Sequence, residues 1–372
     1  MKVTLLQQDL IAPLQSVSRS VGVKSSLPVL ANILIRTEDG NLKLSATNLE
    51  VGVIKTVKAQ VIEEGEITVP ARTLLEIVSS LTSAKLTFET SSDQLKISTD
   101  NFNAILNGIS ASEFPTIPIV SENTVHIEGQ ILKSTIPQIT FAAASDEGRP
   151  ILTGILTEIK KDSLELVATD GFRLAHKTAK IEGDADKNLR CLIPRRTFEE
   201  VVRLIAEEIG EEQKEKVEIS MADSQNQMIF KIGQTLVSTR LIEGQFPAWE
   251  KIIPTKFENR TIIDRTELLK AVKLASVFAK GDANIVKIAT SDGKLKLTSE
   301  AKELGGQENE VEAQTEGVEL VVAFNSKFLI DALSACQSSQ IRIEFSGSLS
   351  PALIKPLGEE GLEYVVMPIR LN

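Results

Sequence analysis

The chain is short of the residues on which most enzyme chemistry rests. It has two histidines, His126 and His176, which leaves little room for imidazole catalysis. Its two cysteines, Cys191 and Cys336, stand far apart in apolar strand or helix contexts, the pattern of buried thiols rather than of a disulfide or a metal site. There is no Gly-rich nucleotide loop and no nucleophile elbow. The stretch GDADKNLR opens like a calcium loop with Asp184, Asp186 and Asn188, but Leu189 and Arg195 stand where an EF-hand needs Gly and Glu. No metal and no cofactor is expected. No apolar run approaches a membrane span, and MKVTLLQQDL carries an aspartate and two glutamines where a signal peptide needs an unbroken apolar stretch. A cytoplasmic protein with no membrane partner is expected.

What is present is an ordinary soluble composition, 42% hydrophobic and 25% charged. The net charge of −10 argues at first against nucleic acid, because phosphate binding wants clustered Lys and Arg. A partitioned surface, acidic outside and basic on one lining, escapes that objection, since fields beyond a Debye length of about 8 Å are screened.

The chain also repeats itself. GEITVPARTLLEIV (65–78) returns as NLRCLIPRRTFEEVV (188–202) and more loosely as VELVVAFNSKFLIDAL (318–333), each an apolar strand, a polar corner and an amphipathic helix. LKLSAT (42–47) recurs as LELVAT (164–169) and LKLTS (295–299). The offsets are 194 − 70 = 124 and 323 − 194 = 129 for the corner, 164 − 42 = 122 and 295 − 164 = 131 for the strand, all near a third of the 372 residues. A repeat of this length is domain-sized and predicts three similar domains, at 1–122, 123–253 and 254–372. The two Pro-containing linkers, 113–123 and 245–259, match each other at Phe114-Pro115 and Phe246-Pro247.

Within the first repeat, alternating strands VTLLQ, ILIRT, LKLSAT, VGVIKTVKA and EITVP flank a helix over 9–21, with Asp9 as its N-cap and Pro13 near its start. A second helix follows over 73–81, and three more strands close the unit. Each domain is expected to be α+β, with two helices and about eight strands. Strands at both ends of the chain leave exposed sheet edges. A second copy placed head to tail would pair them twice and close a six-domain ring.

Segments LPVLANILI (27–35), LSATNLEVGV (44–53), VPARTLLEI (69–77), SASEFPTIP (110–118), LVATDGFRLA (166–175), EGQFPAWEKIIP (243–254) and YVVMPIRLN (364–372) resemble the bacterial DNA polymerase III beta subunit, the sliding clamp, over the whole chain. The resemblance implies a homodimeric ring threaded by duplex DNA, opened by a clamp loader. It would hold the DNA polymerase III catalytic subunit, other DNA polymerases and repair proteins by topology, without catalysis.

The resemblance also implies site residues. Leu152, Thr169, Gly171, Phe172, Arg173, Leu174, Pro247, Lys251, Ile252, Val365, Val366, Met367, Pro368, Ile369, Arg370 and Leu371 would line a partner-peptide pocket, whose apolar walls take the anchors of an extended peptide. Lys251 and Phe172 stand where relatives carry Arg and His. Lys24, Arg72, Arg196 and Arg203 would reach DNA phosphates without reading bases. Pro150 and Ile151 replace aromatic residues that touch DNA in some relatives. Leu274 would lie in the ring interface, although a leucine at helical spacing is by default core. Two other readings stand beside this one: a protein-interaction scaffold that never encircles DNA, and an enzyme whose active site is assembled from scattered residues.

Overall fold

A computed structural model of the chain describes residues 1–22, 27–82, 85–119, 124–146, 148–182, 188–209, 215–222, 226–280, 284–301 and 305–370. The boundary expected at 122/123 and the calcium-like residues Asp184 and Asp186 lie outside them. The first third contains β1 (Lys2–Leu6), α1 (Gln7–Ser18), β2 (Asn32–Glu38), β3 (Asn41–Thr47), β4 (Val51–Val57), β5 (Gln60–Glu63), β6 (Glu66–Pro70), α2 (Ala71–Ser80), β7 (Lys85–Ser91), β8 (Gln94–Ser98) and β9 (Asn103–Asn107). The second contains β10 (Thr124–Glu128), α3 (Gly129–Thr135), α4 (Pro137–Thr140), β11 (Gly154–Ile159), β12 (Ser163–Thr169), β13 (Arg173–Lys180), β14 (Leu189–Pro194), α5 (Arg195–Glu208), β15 (Lys216–Ala222), β16 (Gln227–Ile232) and β17 (Thr235–Arg240). The third contains β18 (Asn259–Asp264), α6 (Arg265–Ala279), β19 (Ile285–Ser291), β20 (Lys294–Ala301), β21 (Gly305–Gly317), β22 (Val321–Asn325), α7 (Ser326–Ala335), β23 (Gln340–Phe345), β24 (Ala352–Pro356) and β25 (Leu362–Val366). The same strand-helix-strands-helix-three-strand order occurs three times, as the repeat predicts, with one extra strand, β5, in the first.

Several local expectations are corrected. α1 begins at Gln7 with Leu6 at the cap, so Asp9 lies in the first turn, where its charge suits the helix dipole without capping. Pro13 stands inside α1 rather than near its start, where it cannot donate to the carbonyl of Asp9. The first helix of the second repeat is broken into α3 and α4, with Pro137 opening the second piece. Helix α7 is capped by Asn325, which aligns that residue, not Ala323, with Pro70 at the cap of α2. The corner offset then becomes 325 − 194 = 131, equal to that of the strand repeat.

Two compact units form, Met1–Gln130 with Glu200–Leu241, and Ile131–Glu199 with Ile242–Asn372. The first holds a five-stranded sheet, β5-β1-β7-β8-β9, and an eight-stranded sheet, β10-β15-β16-β17-β4-β3-β2-β6. In it β17 continues the sheet of β4, with Ser238 opposite Gly52. Its linker core gathers Val29, Leu30, Leu34, Ala111, Phe114 and Ile117. The second unit holds a twelve-stranded sheet, β14-β11-β12-β13-β25-β24-β23-β18-β21-β20-β19-β22. There β25 continues the sheet of β13, with Leu174 opposite Val365. Helix α6 packs on α7 and on β19, β20 and β21 through Leu268, Ala271, Val272, Ala275 and Ala279, spaced to one face.

Candidate functional site

The turn TDGFR is built by its own side chains. Asp170 Oδ1 accepts from the backbone of Phe172 (2.9 Å) and Arg173 (3.1 Å), while Thr169 Oγ1 donates to the Arg173 carbonyl (2.6 Å) and accepts from Gly171 N (3.1 Å). Gly171 takes φ +91, a conformation that favours glycine. The corresponding turn of the first repeat has the same bonds: Asn48 Oδ1 accepts from Glu50 and Val51, and Thr47 Oγ1 bonds Val51 O and Leu49 N. The turn is therefore structural in both places, and in the second it presents Phe172, which is 57% exposed.

Strand alternation sends Leu174 and Arg173 to opposite faces. Leu174 joins Leu156, Val167, Leu192, Phe246, Trp249, Leu353 and Val365 in one apolar cluster, against which Ile151, Ile252 and Ile253 pack. Of the residues expected to line a peptide pocket, the cluster thus brings together Leu174, Ile252 and Val365. Pro247 and Lys251 are exposed on the same linker, and Leu152 is half-buried in the short turn Pro150–Thr153. Val366 is buried opposite Arg173. Beyond β25 the chain continues past the turn: Met367 N donates to the Phe172 carbonyl (2.9 Å) and Ile369 N to Ala323 O (2.7 Å). Met367 is 37% exposed, Pro368 is half-buried and Arg370 is exposed. Leu371 lies outside the described residues.

The Arg173 side chain is tied on several sides. Its Nε reaches Asp170 Oδ2 (3.0 Å), Nη1 reaches Asp331 Oδ2 (2.5 Å), Nη2 donates to Phe141 O (2.7 Å), and its Cζ lies 4.7 Å from the Phe328 ring centre. The guanidinium joins β13 to α7. Beside it is a cleft of about 390 Å³ lined by Asp146, Arg149, Phe172, Arg195, Lys327 and Phe328, among others. Phe328 stacks on Phe172 at 6.4 Å and 20°. Sequence reading missed Phe328; its signal was position alone, since it follows Lys327, the repeat partner of Arg72 and Arg196.

The cations divide. Arg72 is 92% exposed in the first turn of α2 and reaches Glu76 at 2.9 Å. Arg196 is exposed at the start of α5. Arg203, by contrast, is only 21% exposed and is gripped by Glu200 and Glu207, with Ser16 Oγ at 3.2 Å. Two carboxylates already compensate its charge. Lys24 lies outside the described residues. Leu274 is 60% exposed, as is Val277 at 54% on the same helix, so Leu274 is not core. Burial pushes the Cys191 thiol up to about 12 and Cys336 up to about 11, which keeps both protonated and unreactive. No described helix is long and apolar enough to cross a membrane.

Family models of the DNA polymerase III beta subunit match the chain in three parts: the N-terminal domain over 1–118, the central domain over 126–248 and the C-terminal domain over 250–370. The beta sliding clamp of Synechococcus elongatus is 32% identical over 379 residues, covering 100% of both chains. That of Staphylococcus aureus is 29% identical over 382 residues, covering 100% of this chain and 99% of its own. Among solved structures, the sliding clamp of Bacillus subtilis superposes with a TM-score of 0.94 at 28% identity, and the beta subunit of Thermotoga maritima with 0.90 at 31%, each over 100% of both chains. Three like α+β domains in series, with this cover, are the architecture of a DNA clamp. The chain belongs to the bacterial DNA polymerase III beta subunit family, the beta sliding clamps. Membership makes it a processivity factor of DNA replication, not an enzyme.

Proposed function

We propose that two copies close head to tail into a ring around duplex DNA, with domains at 1–122, 123–253 and 254–372. One observation supports this most strongly. Within the chain β4 is continued by β17 and β13 by β25, each time the last strand of one repeat beside the fourth strand of the preceding repeat. The corresponding strands, β9 and β21, are left without such a partner: β9 ends its sheet, and β21 pairs with β18 only over 313–317. A second copy supplies both pairings and closes the assembly. Exposed apolar side chains sit at both edges, Ile105 (62% exposed) on β9 and Leu274 and Val277 on α6 behind β21. The exposed face of β21 carries Glu308, Glu310, Glu312 and Glu316, the first two paired with Lys296 and Lys294, so the neutral β9 edge is a better match than a second acidic β21.

Arg72 and Arg196, at the same position of the repeat on helices facing the hole, contact phosphates, so DNA affinity is weak, salt-sensitive and sequence-independent. The cluster around Leu174 and Val365, with Leu152, Pro247, Lys251, Ile252, Phe328 and the segment from Met367, receives an extended peptide of the polymerase catalytic subunit, the clamp loader and other replication and repair proteins. The protein works in the cytoplasm. Light scattering coupled to gel filtration tests the ring: the mass should be twice the 40.5 kDa of one chain. A monomer at micromolar concentration would count against it.

A further inference from the structure

The face of the twelve-stranded sheet that carries Leu174 is divided. One part is apolar, with Leu174, Val167, Val365 and Leu353; one step along the same strands it is polar, with His176, Glu165, Glu363 and Lys355. Trp249 covers the border. It belongs to the apolar cluster, and its ring centre lies 4.5 Å from that of His176. Its backbone N–H donates to the Pro247 carbonyl (2.8 Å), and it opens the short turn Trp249–Ile252, so whatever holds Trp249 also holds Pro247 and Ile252.

His176 is held from both sides. Nδ1 lies 3.0 Å from Glu363 Oε1 on β25 and Nε2 lies 2.9 Å from Glu165 Oε1 on β12, with Thr178 Oγ1 at 3.3 Å from Nε2 on its own strand. Lys355 of β24 braces Glu363 (3.2 Å), and Lys160, also near Glu158, braces Glu165 (3.8 Å). A neutral imidazole donates from one nitrogen only, so it can satisfy one carboxylate while its lone pair faces the other. The protonated ring satisfies both.

We propose that His176, clasped between Glu165 and Glu363, is a positioning residue for the peptide pocket: through Trp249 it fixes the linker wall that carries Pro247 and Ile252, and releases it on losing its proton. The proposal rests on the peptide-pocket reading above. Burial pulls the His176 pKa down, but the hydrogen bonds and charges of Glu363 and Glu165 outweigh it and hold it above 6.5. The wall is therefore fully held at pH below 6.5 and loosens as pH rises through the raised value.

Trp249 is the chain's single tryptophan, so the emission of the full chain reads this contact directly. The test is a pH titration of that emission, alongside fluorescence-polarisation affinities for a labelled, acetylated short peptide with Leu and Phe at alternate positions. Emission should rise with a midpoint above 6.5, the transition should vanish in His176→Gln, and Glu363→Gln should move it down. Peptide affinity should fall about threefold across the same midpoint, the weight of one weak cation–π contact, and stay flat in His176→Gln. Flat wild-type affinity with a titrating emission would overturn the positioning role, as would an emission insensitive to pH. No binding at any pH, with a titrating emission, would remove the pocket reading and the positioning role with it.

Discussion

Ile117 lies against Gly52, so closely that a Cβ on the glycine would come within 3.0 Å of Ile117 Cγ2. Gly52 is opposite Thr47 as Leu174 is opposite Thr169, which makes Gly52 and Leu174 the same position of the repeat. In the first unit that position has no side chain, and the linker fills the space itself. In the second it carries Leu174 beside Val365. One of two equivalent junctions is thus closed by its own chain.

Substituting Gly52→Leu should therefore not create a second peptide site. Overpacking against Ile117 should destabilise the protein by about 1–3 kcal/mol, read from the urea midpoint. Calorimetric titration of the variant should still give one peptide per protomer, and a stoichiometry of two would contradict the account.

Arg173 is a structural clasp. Arg173→Ala leaves Asp331 and Asp170 without their shared cation and should cost about 3 kcal/mol of stability. Arg173→Lys should recover little, because one ammonium cannot meet Asp170, Asp331 and the Phe141 carbonyl together. Thermal denaturation of the two variants checks this.

The helix cations should separate by salt. Anisotropy on a short linear duplex, followed against salt concentration, should lose about 0.9 of log–log slope for each of Arg72→Ala and Arg196→Ala. Arg203→Ala should change the slope less than either, since Glu200 and Glu207 already compensate its charge.

The dimer contact should be separable from folding. Leu274→Glu and Ile105→Lys change residues that are 60% and 62% exposed, so each protomer should keep its circular dichroism. Sedimentation should show monomers, from the cost of burying an unpaired charge in the contact.

The repeat, the α+β class and the order of elements were legible in the sequence because local patterns carry them: Thr47 and Thr169 open the same turn with the same bonds. The joining of β4 to β17 and of β13 to β25 was not, because strands this far apart in the chain, Lys55 opposite Thr235 and Leu174 opposite Val365, leave no mark in local periodicity. Asp9 is a good cap by composition, but the register of α1 on β3 and β4 starts the helix two residues earlier. Arg203 and Arg72 look alike as letters. Only the neighbouring turns show that one is compensated by two glutamates and the other is extended into solvent. Leu274 follows core spacing, yet α6 turns it outward, and Phe328 gains its place from its stack with Phe172.

The central claim is topological linkage to DNA. The most direct measurement is retention on nicked circular DNA after loading with a matched clamp loader and ATP, followed by cutting with a single-site nuclease. The account predicts that the protein is retained on the circle and lost on linearisation; retention unchanged by the cut would contradict it.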